Sequence, residues 1–454
     1  MPQRPVETDV IVAAATPWGR AALAVVRLSG PGLANVLDAW VRPHRDGPRV
    51  SGRTRRVDVL AEGQVIDDGV LVVGLAPATF TGEPTAELTV HGNPVLLERV
   101  LAAAVAAGAR MARPGEFTRR AVLHGKLDLV QAEAVHQVIE APTAVGARLA
   151  RQGLEGALSK EYEGLRSRLV QVAAELEARL DYPGDDLALE DDETVLRELD
   201  EVRKRAGALA GTASAGSVLV HGARVALVGA VNAGKSSLFN ALLGRRRALV
   251  HDVPGTTRDV LEVQTQIAGL AVTLLDTAGE RATEDPVEAA GLALAQELIA
   301  DVDALIVVVR ARPEGPSEAE QQILARTSGQ PRVVALNGVD RAGVRLHVPG
   351  VTTVVPTVAL TGDGVDALGA SLRRVLVRSE PAAGDLVVAS ARQRDCLRAV
   401  HHACEQAAEA MPFAGVAAAA ECVLGALDEL DAMTGADTRE DVLDALFSRF
   451  CIGK

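Results

Sequence analysis

A glycine-rich run at residues 229–237 has the residue types and spacing of a loop that binds nucleotide phosphates. It reads Gly-Ala-Val-Asn-Ala-Gly-Lys-Ser-Ser and follows the apolar stretch 225–228. Glycines let backbone N–H groups turn toward phosphates, the lysine reaches the outer phosphates, and the first hydroxyl binds Mg²⁺. Lys235 is therefore assigned a catalytic role and Ser236 a place on Mg²⁺. The predicted phosphate contacts are Asn232, Ala233, Gly234, Lys235, Ser236 and Ser237.

Two later segments supply groups for the terminal phosphate. In the polar stretch 255–259, Thr256 and Thr257 are expected to contact the nucleotide, and the Thr257 hydroxyl to bind Mg²⁺. The apolar stretch 272–275 predicts a strand that ends at Asp276, a catalytic carboxylate that approaches Mg²⁺. The residues that follow it complete the predicted phosphate contacts: Thr277, Ala278 and Gly279.

The base is predicted to be guanine. Asn337 and Asp340 follow the apolar strand candidate 333–336, and a carboxylate at this place can accept both guanine N–H donors. An ordinary loop carboxylate is the alternative for Asp340. Ala359 is expected to offer its backbone N–H to the base. Nucleotide binding is therefore assigned to Asn337, Asp340 and Ala359.

The elements that position these residues alternate strand, loop and helix from about residue 217 to 380, which predicts a doubly wound α/β domain. Residues 1–124 mix β-rich runs at 9–14, 24–28, 69–74 and 86–90 with helical runs at 33–41 and 95–107, an α+β pattern. Residues 125–216 and 381–454 have helical spacing, so a discontinuous helical domain is predicted on either side of the α/β domain.

Composition limits the class of protein. The chain has 454 residues, which predicts several domains, and no stretch resembles a membrane span or a signal peptide, so a cytoplasmic location is expected. The four cysteines have no short paired spacing and are expected to be reduced. The formal net charge of −13 argues against broad binding of nucleic acid, so any RNA contact must be local.

Motifs outside the α/β domain give the chain a resemblance to a known family. They are Ala-Thr-Pro-Trp-Gly-Arg at 15–20, Arg-Leu-Ser-Gly at 27–30, Phe-Thr-Gly-Glu at 80–83, Arg-Pro-Gly-Glu-Phe-Thr at 113–118 and Lys-Leu-Asp-Leu at 126–129. The end of the chain, Phe-Ser-Arg-Phe-Cys-Ile-Gly-Lys, adds a further match. From end to end the chain resembles the MnmE (TrmE) family of tRNA-modifying GTPases.

That resemblance implies a Ras-like GTPase domain inserted in the helical domain, and a homodimer formed through an N-terminal domain that binds a one-carbon tetrahydrofolate. It implies that the partner is the flavoprotein MnmG, in a heterotetramer. It further implies that the complex places an aminomethyl or carboxymethylaminomethyl group on carbon five of the wobble uridine of certain tRNAs, with GTP hydrolysis. No membrane is expected to take part.

The resemblance also assigns site residues. Family folate contacts match Arg27, Glu87, Lys126 and Lys454; without the resemblance, Arg27 and Lys126 would be taken for solvated surface cations. Cys451 is either a functional thiol near the folate or a small packed residue.

Hydrolysis in this family resembles cation-assisted cleavage, in which K⁺ takes the place of an arginine finger. Glu288 matches the acidic residue that orients the attacking water, although an exposed carboxylate at a helix start is the alternative. The predicted K⁺ ligands are Asn232, the backbone carbonyls of the segment His251 to Val253, and Thr256.

Departures from the family pattern cluster around the nucleotide. Gly338 replaces a lysine whose stem would cover the base, and Val358 replaces a serine. Ala230 and Val231 stand for Arg-Pro, and Glu280 replaces an apolar residue near the γ-phosphate. We therefore expect weaker GTP binding than is usual in the family, which calorimetry can measure.

Two classes of function remain open at this point. One is an enzyme component of tRNA wobble-uridine modification, and the other is a regulatory GTPase switch of the ribosome-assembly type. The N-terminal motifs and the terminal Cys-Ile-Gly-Lys favour the first class.

Overall fold

A computed structural model of the chain describes residues 8–46, 48–181, 191–244, 261–276, 301–340, 348–351, 353–382, 384–435, 440–448 and 450–453. The chain divides into two compact units. The first comprises Met1–His136, Gly153–Arg166 and Leu427–Lys454, and the second comprises Gln137–Gln152 and Ser167–Ala426. The four predicted domains are a finer division, and their boundaries stay predictions.

In the first unit the described strands form one sheet in the order β3-β4-β5-β6-β2-β1-β7. β1 pairs with β7 in parallel, and the other neighbours are antiparallel. The predicted strands are confirmed as β1, β2, β5 and β6, whereas β3, β4 and β7 were not predicted. The bounds are β1 (Val10–Ala14), β2 (Leu23–Ser29), β3 (Val41–Pro43), β4 (Thr54–Ala61), β5 (Gln64–Gly74), β6 (Thr85–His91) and β7 (Ala109–Met111).

Both faces of β1 are covered, which is why all five of its residues are buried. On one face lies the main core, to which α1 (Leu33–Trp40) and α2 (Pro94–Ala106) contribute their apolar sides. On the other face, Ile11 packs with Phe117 of α3 (Glu116–Leu123). The period of two along β2 buries Leu28 in the main core and turns Arg27 to the opposite face.

Four helices follow α3 in the chain: α4 (Leu129–Glu140), α5 (Ala144–Leu154), α6 (Ala157–Asp181) and α7 (Asp192–His221). They confirm the long helices predicted from the apolar spacing. The Asp191 carboxylate caps α7 by accepting a 2.7 Å hydrogen bond from Thr194 N. α7 ends at His221, and the next strand begins two residues later, at Ala223.

The second unit contains the doubly wound α/β fold, which confirms the predicted Ras-like architecture. Its described strands lie in the order β13-β12-β11-β8-β10-β9, and only β9 is antiparallel to its neighbour. The elements are β8 (Ala223–Gly229), α8 (Lys235–Gly244), β9 (Leu261–Ile267), β10 (Leu270–Asp276), β11 (Ala304–Arg310), α9 (Glu318–Arg326), β12 (Arg332–Asn337), β13 (Val354–Thr357) and α10 (Val365–Leu376).

Three more helices end the chain: α11 (Ala391–Phe413), α12 (Val416–Thr434) and α13 (Glu440–Phe447). They confirm the helical spacing predicted for residues 381–454, and the last of them ends at Phe447. In the second unit α11 packs along α7, where His401 Nδ1 lies 2.8 Å from Arg203 O. Burial raises the pKa of Cys404 to about 12, and the four cysteines form no disulfide, as predicted.

Within the described ranges, none of the helices combines the length and the apolar character that crossing a bilayer requires.

Candidate functional site

The phosphate loop begins where β8 ends, on the carboxyl edge of the second sheet. β10 and β12, which run parallel to β8 through the sheet, end at Asp276 and Asn337. Ligands of open α/β sheets bind at this edge, beside the point where the strand order reverses. The fold therefore brings the predicted phosphate, metal and base residues to one side of the sheet.

Lys235 is held inside the loop that it follows. Its ammonium donates hydrogen bonds to Gly229 O at 2.8 Å and to Ala230 O at 3.0 Å. Burial lowers the pKa of Lys235, and the nearby carboxylate of Asp276 opposes that shift. The ammonium charge is thus partly desolvated, so it attracts an anionic phosphate more strongly than it would in water.

The turn of the loop depends on two residues in the left-handed region. Asn232 has φ +62°, which asparagine tolerates, and Gly234 has φ +94°. A Cβ atom added to Gly234 would overlap the side-chain nitrogen of Asn337. Gly234 is therefore needed both for its conformation and for the space that it leaves.

Asn337 joins the phosphate loop to the predicted base loop. Its Nδ2 donates to Ala233 O at 3.3 Å, and its Oδ1 accepts from Ala359 N at 3.0 Å. We expected the Ala359 N–H to be available to the base, and in this structure Asn337 accepts it instead. The role of Asn337 is thus to hold two loops together.

The residues beside Asn337 explain one departure from the family pattern. Gly338 has φ +83° and donates its N–H to Thr357 O at 2.8 Å. Glycine adopts this conformation without the strain that a lysine would meet. Asp340 is exposed at the end of the same segment, so its carboxylate is accessible to a ligand.

Several predicted site residues lie outside the described residues, so their assignments stay predictions. They are His251, Val253, Thr256, Thr257, Thr277, Ala278, Gly279, Glu280, Glu288 and Lys454.

In the first unit, Arg27 and Glu87 are directly opposite each other on β2 and β6. Arg27 donates to Glu87 Oε1 from Nε at 2.9 Å, and its Nη2 lies 2.8 Å from the same oxygen. Its Nη1 donates to Gly453 O at 3.2 Å, and its guanidinium lies 5.9 Å from the centre of the Phe117 ring. The two predicted folate residues are thus paired with each other and joined to the C-terminal tail.

The tail that reaches Arg27 is fitted closely to the N-terminal sheet. Gly453 has φ +97°, and a Cβ atom there would overlap Ala14 O at the end of β1. Just before it, the Phe450 ring stacks on His136 with centroids 4.9 Å apart. Cys451 is exposed and accepts from Gly115 N at 3.4 Å through its carbonyl.

Lys126 makes a different contact. Its ammonium donates to Pro77 O at 3.1 Å, and within the described part of the chain it makes no ion pair with Glu87. His124 Nδ1 lies 2.8 Å from Thr81 O, so two contacts fix the segment after α3 against residues 77–81. The structure thus groups Arg27, Glu87 and Gly453, and places Lys126 beside another loop of the same unit.

A buried network of charges underlies both groups. Arg120 is 1% exposed and donates to both oxygens of Glu83 at 3.3 Å, to Glu116 Oε1 at 3.1 Å and to Asp9 Oδ1 at 2.7 Å. Ser29 Oγ, two residues beyond Arg27, donates to Glu83 Oε2 at 2.7 Å. The network therefore ties β2 to the segment that Lys126 contacts.

Arg110 completes the charge balance of this network. Burial favours the neutral form of Glu116, yet its hydrogen bonds with Arg110 and Arg113 N hold its pKa below the ordinary value. The pKa of Asp9 is lowered in the same way. Burial favours its neutral form, and its hydrogen bonds and charge interactions with Arg110 and Arg120 outweigh that effect. Both carboxylates are therefore ionised in the folded chain over the neutral range.

Sequence reasoning assigned no role to Ser29, Glu83, Glu116 and Arg120, although the first three belong to the motifs that carried the resemblance. The partial signal was a carboxylate directly after glycine in two of those motifs. The ion pairs join positions as far apart as Asp9 and Arg120, and a single sequence does not show which distant positions pair.

Two family models match the chain. A family model described as GTP-binding protein TrmE N-terminus matches residues 10–126, and one described as MnmE helical domain matches residues 129–451. The second range spans the α/β domain, as expected for a helical domain interrupted by an insertion.

Relatives match over nearly the whole chain. Proteins named tRNA modification GTPase MnmE are 39% identical in a Roseiflexus species, over 98% of this chain and 99% of the relative, and 38% identical in Chloroflexus aurantiacus, over 98% and 100%. Among solved structures, Era of Aquifex aeolicus is 24% identical, with 40% of this chain and 66% of that chain covered and a TM-score of 0.28. The full-length relatives and the two family models lead to one conclusion: the chain belongs to the MnmE (TrmE) family of tRNA modification GTPases.

Proposed function

We propose that this chain is a K⁺-dependent GTPase that acts with the flavoprotein MnmG on the wobble uridine of tRNA. The pair places an aminomethyl or carboxymethylaminomethyl group on carbon five, with carbon from a one-carbon tetrahydrofolate. The observation that carries the proposal is that one chain combines a phosphate loop with an Arg27–Glu87 pair joined to Gly453. A regulatory GTPase switch that acts through binding alone has no use for the second feature.

Mass spectrometry of wobble uridines tests this function directly. In cells that lack the protein, we expect the carbon-five group to disappear from the tRNAs that carry it, because the proposed reaction needs this protein together with MnmG. Return of the gene should restore the group. Intact wobble uridines together with a ribosome-assembly defect would contradict the proposal and favour the regulatory switch.

The metal chemistry rests on oxygen donors at the sheet edge. Ser236 offers an exposed hydroxyl at the start of α8, and Asp276 a carboxylate that is 7% exposed, both of which suit Mg²⁺. Bound Mg²⁺ would neutralise charge on the β- and γ-phosphate oxygens. Asn232, exposed in the phosphate loop, is the described member of the proposed K⁺ shell.

Turnover should depend on K⁺ and on Glu288. We expect single-turnover GTP hydrolysis to be faster in KCl than in NaCl at equal ionic strength. Glu288→Ala should slow it by about 100-fold in KCl, since a positioned acid or base contributes on this scale. GDP affinity, measured by calorimetry, should be unchanged. Equal rates in both salts would contradict the K⁺ role, and equal rates for variant and parent would contradict the Glu288 role.

Folate binding should depend on Arg27. Arg27→Gln removes a cation that can bind folate carboxylates, so affinity for 5-formyltetrahydrofolate should fall at least about 10-fold, the scale of one charged hydrogen bond. The matched control is Arg42→Gln, because Arg42 pairs with Asp58 across strands of the same sheet with Nη2 to Oδ2 at 2.7 Å. Equilibrium dialysis compares the three proteins. Equal loss in both variants would argue against a specific site at Arg27.

The proposed assembly is a homodimer formed through the N-terminal domain, joined by MnmG in a heterotetramer. Light scattering of the purified chain should give twice its 47.3 kDa mass, and a monomer at micromolar concentration would contradict the dimer. We place the reaction in the cytoplasm with its tRNA substrate. Recovery of the protein in a membrane or exported fraction would contradict that location.

A further inference from the structure

A large cleft in the second unit shares no lining residue with the proposed nucleotide and folate sites. It has a volume of about 1080 Å³ and is lined by α7, by the segment between α10 and α11, and by the first turn of α11. Asp303 and Pro331, which precede β11 and β12, also line it. The cleft therefore lies at the amino-terminal ends of these strands, opposite the edge that carries the phosphate loop.

Three arginines from three different elements line this cleft: Arg205 of α7, Arg378 after α10, and Arg394 of α11. Arg378 is exposed and makes no ion pair or hydrogen bond with the residues that the structure describes. Arg394 pairs with its exposed neighbour Asp395, with Nε to Oδ1 at 2.8 Å. Arg398, also exposed, follows Arg394 by one helical turn and extends the cationic face.

The carboxylates that line the cleft are already engaged by backbone groups. Asp303 Oδ2 accepts from Arg224 N at 2.8 Å, and Asp385 Oδ2 accepts from Ala382 N at 2.7 Å. Guanidinium groups that share a cleft repel one another, and an anion bound between them relieves that repulsion. Three arginines against two carboxylates give the lining a formal charge of +1, in a chain whose net charge is −13.

Size and chemistry favour an extended anion. Sites for small molecules have volumes of about 300–1000 Å³, so a cleft of about 1080 Å³ that is open to solvent exceeds what a free phosphate needs. Hydroxyls from Ser214, Ser217 and Ser379 also line it. Arginines together with hydroxyls are the groups that contact nucleic-acid phosphates. We propose that this cleft binds the phosphate backbone of the tRNA substrate, an inference that rests on the proposed function.

The test removes the three arginines together. Fluorescence anisotropy would compare the parent with the triple variant Arg205→Gln, Arg378→Gln, Arg394→Gln, using an unmodified tRNA transcript at several KCl concentrations. Affinity should fall at least 10-fold at low salt. The slope of log affinity against log salt should decrease by about three, since each phosphate contact contributes nearly one.

A second triple variant controls for the loss of charge. Arg53→Gln, Arg99→Gln, Arg326→Gln removes three exposed arginines that do not line the cleft, and it should bind tRNA within two-fold of the parent. The single variant Arg378→Gln guards against misfolding, because Arg378 has no partner among the described residues. It should lower affinity about three-fold or more, with GDP affinity and thermal unfolding unchanged.

Each remaining outcome is decisive. If the cleft variant and the control variant bind tRNA as the parent does, the inference is wrong while the proposed function stands. If the parent itself has no affinity for tRNA, the proposed function fails and the cleft site fails with it. Loss of MnmG binding at unchanged tRNA affinity would assign the cleft to a protein partner and overturn the RNA site.

Discussion

Replacing Gly234 with alanine is expected to lower affinity for GDP and GTP by about 100-fold or more. Gly234 has φ +94°, where alanine costs about 1–2 kcal/mol, and its new Cβ would overlap the Asn337 side chain. Relief of that overlap moves Asn337, which holds Ala233 O and Ala359 N. One methyl group therefore disturbs the phosphate loop and the base loop together.

Calorimetric titration with GDP measures the effect. Gly244→Ala is the matched control, because Gly244 ends α8 in the same unit and a Cβ there meets nothing within 4 Å. The control should bind GDP within about two-fold of the parent, as ordinary surface substitutions do. Near-parental affinity in Gly234→Ala would mean that Asn337 does not fix the loop geometry.

Replacing Arg120 with leucine is expected to destabilise the first unit by about 3–5 kcal/mol, the usual cost of removing one partner from a buried ion pair. Arg120 is 1% exposed, and its loss leaves Glu83 and Glu116 buried with less positive charge beside them. Urea unfolding followed by circular dichroism gives the free energy. Arg99→Leu, on the exposed side of α2, should change it by no more than about 0.5 kcal/mol.

The same network sets the response to acid. Glu116 and Asp9 have pKa values below their ordinary 4.5 and 3.8, so they contribute stability at neutral pH that is lost as the pH falls through the lowered values. Without Arg120 these pKa values rise, and the acid unfolding midpoint should move to higher pH. If Arg120→Leu has the same acid unfolding midpoint as the parent, Arg110 alone sets the ionisation of Glu116 and Asp9.

Sequence reasoning located the nucleotide edge because its chemistry is local. The phosphate loop lies between one strand and one helix, and Asp276 and Asn337 each end an apolar strand, so short segments carry the signal. The strand order then follows from the rules of doubly wound sheets. The hydrogen bond from Ala359 N to Asn337 Oδ1 was not predicted, since it depends on side-chain geometry between two loops.

The N-terminal site was less accessible to sequence reasoning. β4 was missed because its buried residues Val57 and Val59 alternate with charged ones such as Arg56 and Asp58, so no continuous apolar run marks it. The partners of Arg120 lie as far as 111 positions from it, and long-range pairing of charges has no period along a chain. Resemblance identified the motifs, and only the fold shows that they meet in one buried network.

The contact between Arg27 and Gly453 joins residues that are 426 positions apart. A ribosome that adds about 5–20 residues per second needs roughly 20–90 s to travel from one to the other. During that interval the glycine that seats on Ala14 is not yet made, and of the two hydrogen-bond partners of Arg27 described above, Glu87 and Gly453, only Glu87 is present. Completion of the proposed folate site is therefore an event of late synthesis, because the contact with Arg27 cannot form until Gly453 has emerged from the ribosome.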